Sequence, residues 1–224
     1  MTLYNLTARS ICILLLSAVG CGRHSTPTPT AKTLHQAVIF YPDQIPTLIA
    51  NGAEIDELDS YGNSALWVAA RHSKTESVRW LLAGGADPNI RGQRGWTPLH
   101  CTIFCWSASA DSEIAQLLIK AGADVNSVEP EYGETPFHYA VRVAESPELV
   151  RLLLDGGAEI DAQSYPGKDT ALQFAVARRK HTITELLLKA DTSPTIENKV
   201  GFVPQQQSPE DDKIATLFKT YAGR

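Results

Sequence analysis

Gly95-Trp-Thr-Pro-Leu-His100 and Gly122-Ala-Asp-Val-Asn126 are the stretch that decides the fold. Thr97 is a residue type suited to a helix N-cap, and Pro98 follows where a proline begins a helix at no cost. Leu99, Thr102 and Ile103 then share one helical face at i, i+3, i+4. A second apolar run, Leu117-Leu118-Ile119, ends at Gly122, where a left-handed C-cap is favourable. Outward from here the same two signatures recur. The first returns as Gly62-Asn-Ser-Ala-Leu-Trp67, Gly133-Glu-Thr-Pro-Phe-His138 and Thr170-Ala-Leu-Gln173. The second returns as Gly-Ala at Gly52, Gly85, Gly122 and Gly157, at intervals of 33, 37 and 35 residues, each after a leucine-rich run. A fifth run, Leu186-Leu187-Leu188, leads to Ala190-Asp191-Thr192, which has lost the glycine. A fixed period of this size is the mark of stacked supersecondary units.

These residues resemble the ankyrin repeat, whose pattern is Gly-x-Thr-Pro-Leu-His-x-Ala, a second helix, then Gly-Ala-Asp-Val-Asn. The resemblance covers residues 33 to about 200 and implies an all-α solenoid of helix-turn-helix repeats with β-hairpin fingers. The repeats divide as 33–60, 61–93, 94–131, 132–166 and 167–199, with a partial C-terminal cap at 200–224. In the cap, Gly201-Phe-Val-Pro204 echoes the first signature, and Asp212 to Tyr221 reads as a helix with Ile214, Leu217, Phe218 and Tyr221 on one face. The family implies that His35, His100 and His138 hydrogen-bond backbone between repeats, and that Asp87, Asp124 and Asp161 are finger residues.

The family also implies binding of another protein through the concave face and the fingers. The residues at those positions are Tyr61, Arg71, Arg94, Trp96, Phe104, Trp106, Tyr132, Glu134, Arg142 and Tyr165. Tyr, Trp and Arg dominate binding hot spots. Repeat three carries four extra residues within Cys101 to Ser112, and repeat four one more near Ala144 to Pro147. Insertions of this kind map to loops, often on a binding face.

No constellation for catalysis stands out: there is no Gly-x-Ser-x-Gly elbow, no His-Glu-x-x-His and no phosphate loop. No enzyme, cofactor or metal site is expected. Cys101 and Cys105 are four apart on a helical stretch. They fit two buried thiols, or a disulfide if the helix ends near Phe104; redox or enzymatic chemistry on them is a further alternative.

The N-terminus has its own logic. Arg9 precedes an apolar run from Ile11 to Val19, followed by small residues, the layout of a secretory signal peptide over residues 1–20. Ala18-Val-Gly-Cys21 resembles the lipobox of bacterial lipoproteins. That resemblance implies a diacylglycerol on Cys21 and, with Gly22 following, an anchor on the periplasmic side of the envelope, in the outer membrane of a Gram-negative source. Residues 21–32, with Thr26-Pro-Thr-Pro-Thr30, read as a semi-rigid tether. No apolar run elsewhere approaches the ~20 residues of a membrane-spanning helix.

With 25 acids against 20 bases the net charge is −5, which disfavours a nucleic-acid partner. The expected function is therefore a lipid-anchored, monomeric, non-catalytic binder of a protein. Two partner classes fit an exported binder: a toxin directed at the cell envelope, which would make this an immunity protein, or a periplasmic stress enzyme that it protects.

Overall fold

The computed structural model describes residues 31–104, 110–143 and 147–221. The expected leader, Cys21, the first part of the expected tether, Cys105 and Trp106 lie outside the described residues. Among the described residues eleven α-helices follow in order: α1 Leu34–Phe40, α2 Ile45–Ala50, α3 Ala65–Arg71, α4 Thr75–Ala83, α5 Pro98–Phe104, α6 Ala110–Lys120, α7 Pro136–Val143, α8 Pro147–Asp155, α9 Ala171–Ala177, α10 His181–Lys189 and α11 Asp212–Tyr221. They pair as helix-turn-helix units. The first helices α1, α3, α5, α7 and α9 pack side by side, and a short 3-10 turn at Pro204–Gln207 closes that row. The second helices α2, α4, α6, α8, α10 and α11 make the other row.

One core runs between the rows. Leu66, Leu99, Phe137 and Leu172 occupy the same register of successive first helices and are fully buried. Leu81, Leu118, Leu153, Leu187 and Ile214 do the same for the second helices. Each repeat leaves both helices half-covered, so burial is completed only by its neighbours. The cap helix α11 ends the array with Ile214 and Phe218 turned inward and a polar outer side.

Helix ends follow their local chemistry. Ser64 and Thr170 cap α3 and α9, accepting from the amides of Trp67 and Gln173, and the Gln173 side chain returns to the Thr170 amide. Pro98 and Pro136 open α5 and α7. After the second helices, Gly52, Gly85, Gly122 and Gly157 all have φ of 85–92°, the left-handed region that glycine enters without a Cβ clash. In the fifth copy Asp191 adopts φ 59° there instead.

The expected β-hairpin fingers are reduced to turns. Among the described residues β pairing is limited to single bridges, Leu58 with Ser64 and Gln163 with Thr170. A backbone bond closes each tip, as from the Asp59 amide to the Asn63 carbonyl, and side chains reinforce it. Asp59 accepts from the amides of Tyr61 and Asn63, Glu129 from those of Glu131, Tyr132 and Glu134, and Asn198 from those of Val200 and Phe202. Acceptors that draw these amides inward leave few backbone donors for a ladder.

Candidate interaction surface

Two hydrogen-bond ladders stitch the repeats together, and between them they determine which side chains remain outward. The first runs along the first-helix row. His35 Nε2 donates to the Asn63 carbonyl (2.9 Å), His100 Nε2 to Glu134 (3.4 Å) and His138 Nε2 to Ala162 (2.9 Å). Where the histidine is missing, another N–H donor takes its place: Trp67 Nε1 donates to Trp96 O (3.0 Å) and Gln173 Nε2 to Phe202 O (2.7 Å). The amides of Thr97 and Thr135 donate to Nδ1 of His100 and His138. Nδ1 is therefore the acceptor and Nε2 carries the proton, as the bond to the next repeat requires. Burial pushes both imidazoles down to about 4, so they are neutral at ordinary pH.

The second ladder joins the fingers. Asn89 and Asn126 each accept from the next finger's amide, Asp124 and Glu159 respectively (both 2.8 Å). Each also donates to the following glycine carbonyl, Gly122 and Gly157. Asp56 and Asp161 accept from Asp87 and Ser193 in the same way.

With these positions committed to stacking, the remaining variable residues face outward or form a shelf. Arg71, Phe104 and Arg142 stand five residues after the buried Leu66, Leu99 and Phe137, and Arg178 stands six after Leu172. Arg71 and Arg178 are exposed, Phe104 is 36% exposed and Arg142 is half-buried. Behind them lies a ring cluster. Trp96 meets Phe104 (centroids 4.8 Å) and Tyr139 (5.4 Å) edge-on and stacks on His100. Three guanidiniums lie on rings: Arg71 over Trp67, Arg94 over Trp96 and Arg142 over Tyr139 (5.5, 5.7 and 4.6 Å). A stacked guanidinium keeps its in-plane donors available.

Two expected surface residues are corrected by this arrangement. Trp96, expected among the partner-facing residues, is only 4% exposed. Its ring is captured by Phe104 of its own repeat and Tyr139 of the next, so it forms the floor of the surface. Glu134 is 3% exposed and accepts from Arg142 Nη1 at 2.7 Å. Its other oxygen is buried without a hydrogen-bond partner. Burial pushes its carboxyl up, against the pull of Arg142. Glu134 thus orients Arg142 from below.

The finger residues do reach solvent. Tyr61 and Tyr165 are 72% and 70% exposed, Tyr132 is 46% exposed, and Arg94 is exposed with φ 59°. Tyr139, buried in the floor, and Lys180, whose Nζ donates to the Arg142 carbonyl, belong to this arrangement without having been expected. The available signal was Tyr139 lying three residues before Arg142, on the same helical face. Among the described residues no group of three or more His, Cys, Asp or Glu side chains gathers to hold a metal. Cys101 is buried.

A family model described as Ankyrin repeats (3 copies) matches residues 34–128 and 102–198. The chain belongs to the ankyrin-repeat family. Among curated relatives, the nuclear factor NF-kappa-B p105 subunit of Gallus gallus is 31% identical over 80% of this chain but only 18% of its own length. The B-cell lymphoma 3 protein homolog of Mus musculus is 31% identical over 74% of this chain and 37% of its own length. The chain therefore spans well under half of either relative. The crystal structure of the ankyrin repeat domain of Bcl-3, described as a member of the IkappaB protein family, superposes with a TM-score of 0.74 at 29% identity, covering 83% of this chain and 81% of that one.

Proposed function

We propose that this ankyrin-repeat chain is a binding protein that engages another protein through the first-helix row and the finger tips, with no reaction of its own. One observation carries the reading. The row Arg71, Phe104, Arg142 and Arg178 is outward-facing, while the residues around it are consumed by the two ladders and the ring cluster. Long planar donors resting on a fixed aromatic floor lose little conformational entropy on binding. Membership of a repeat family and likeness to the Bcl-3 ankyrin domain support a protein partner.

The site of action proposed for it is the periplasmic side of an envelope, with lipid on Cys21. This rests on the lipobox-like Ala18-Val-Gly-Cys21 alone. Cys21→Ser is expected to free the domain from membranes without unfolding it. Membrane fractionation with intact-mass analysis checks this, and an unlipidated parent contradicts it.

The binding face is tested by placing a photo-crosslinking amino acid at position 104, on the first-helix row, or at position 151, on the second-helix row. Adducts from 104 and none from 151 are expected. The reverse pattern moves the binding face to the other row. A cell-envelope toxin among the adducts would select the immunity role, and a periplasmic enzyme the protective one.

A further inference from the structure

The charges of this molecule are sorted by position within the repeat. The finger segments 51–63, 84–96, 121–134, 156–169 and 190–202 hold 14 Asp and Glu against 4 Lys and Arg. The first-helix segments of repeats two to five, residues 64–75, 97–104, 135–143 and 170–181, hold 6 Lys and Arg and no acid. A chain of net charge −5 therefore carries a cationic row along its first helices. Cations at helix C-termini complement the helix dipole, and that alone explains one arginine per helix. It does not explain the stacking of Arg71 on Trp67 and Arg142 on Tyr139, nor the ring cluster that fills the one gap in the row. Among the described residues neither Arg71 nor Arg178 forms an ion pair, and Arg142 meets only Glu134, beneath it.

We propose that this row reads an extended acidic segment of the partner in a fixed register; the proposal rests on the binding role given above. In order of repeats the row runs Arg71, Phe104, Arg142, Arg178: cation, aromatic, cation, cation. Neighbouring packed helices are about 8–10 Å apart. A segment in the extended polyproline-II conformation has three residues per turn and advances about 3.1 Å per residue, so every third residue returns to the same face and meets the next repeat. The complement is an acidic residue, then an apolar residue three positions on, then acidic residues at two further steps of three, in either chain direction. Bidentate carboxylate geometry suits the guanidiniums. The apolar residue lands on Phe104, backed by Trp96 and Tyr139. The acidic fingers flanking the row oppose a nucleic-acid backbone and favour a peptide whose charge is confined to these steps.

The probe is a fluorescein-labelled peptide of about ten residues with Glu at the first, seventh and tenth positions, Leu at the fourth and Ser between, made in both orders. Its control has the same composition with the three Glu contiguous. By fluorescence anisotropy at low salt, one spaced order is expected to bind about tenfold tighter than the control. Arg71→Gln, Arg178→Gln and Phe104→Ala should each weaken that peptide several-fold, and added salt should weaken it further. Arg71 and Arg178 are exposed and, among the described residues, form no ion pair, so their substitution leaves the core intact; circular dichroism of each variant verifies this. Equal binding of spaced and contiguous peptides overturns the proposal. So does absence of binding by either spaced order at about 1 mM. Indifference to all three substitutions, or tighter binding of an oligothymidylate, overturns it as well. A partner crosslinked from position 104 that lacks this acidic spacing would sink the register proposal alone and leave the binding role standing.

Discussion

The first-helix row and the finger row solve the same stacking problem with different bonds. Along the first helices a side-chain ring or amide N–H, from His35, Trp67, His100, His138 or Gln173, reaches the next repeat's carbonyl, in most repeats from a buried position. Along the fingers an Asp or Asn oxygen receives the next repeat's amide near solvent. The difference teaches where charge is tolerated. A buried ladder admits only neutral donors, since an ion there would be desolvated without a counter-ion. An exposed ladder accepts carboxylates, and the fingers accordingly become acidic. Binding chemistry is then built from whatever each row leaves outside.

The comparison can be broken most severely at the shared core. Leu99→Ala and Leu153→Ala, one in each row and both fully buried, should each cost about 2–5 kcal/mol by lost transfer energy plus a cavity. Urea unfolding measures it, and an unchanged midpoint for either would show that row misassigned. Acid separates the rows next. His100 and His138 have folded pKa values lowered to about 4, below the unfolded value near 6.5. Between these values the unfolded chain binds more protons, so stability is full above about pH 6.5 and is lost as pH falls toward 4. Each histidine contributes on the order of 3 kcal/mol to that loss. Glu134, raised by burial, is relieved by acid and offsets part of it. Denaturation midpoints that stay flat from pH 7 to about pH 4.5 would contradict the neutral ladder.

Smaller changes sharpen the contrast. Asn126→Ala removes both of that residue's finger bonds and should cost about 1 kcal/mol. His138→Gln should cost less, because Gln173 already does the same work one repeat on. A larger loss for the glutamine than for the alanine would reverse the ranking of the two ladders. Asp191→Gly should be neutral to slightly stabilising, within about 1 kcal/mol, because glycine enters the φ 59° region freely but also loosens the unfolded chain. Thermal midpoints resolve these differences.

Much of this was legible in the sequence because repetition exposes it. The cap-proline pairs Thr97-Pro98 and Thr135-Pro136, and the glycines after each second helix, stand at matching offsets and behave alike. The ladder roles of His35, His100 and His138 came with the family resemblance. What was not legible depends on contacts between repeats. Trp96 lies two residues before the start of α5, where local pattern points it outward; Tyr139, in the next repeat, provides the ring that draws it in. Glu134 likewise reads as a surface acid until Arg142 is seen above it. The fingers read as hairpins because turn residues cluster there, but Asp59, Glu129 and Asn198 take the amides that strands would have used.

The central claim is that the first-helix row, not the second, meets the partner. Once a partner is captured, its affinity for two double variants tests this directly. Arg71→Gln with Phe104→Ala alters the first-helix row. Arg79→Gln with Trp80→Ala alters the second, where Trp80 is 43% exposed and Arg79 bridges Glu76 and Glu113 on the surface. With folding verified for both, the first variant is expected to lose about tenfold or more in affinity and the second to stay within about twofold of the parent. An unchanged first variant beside a weakened second one would contradict the account.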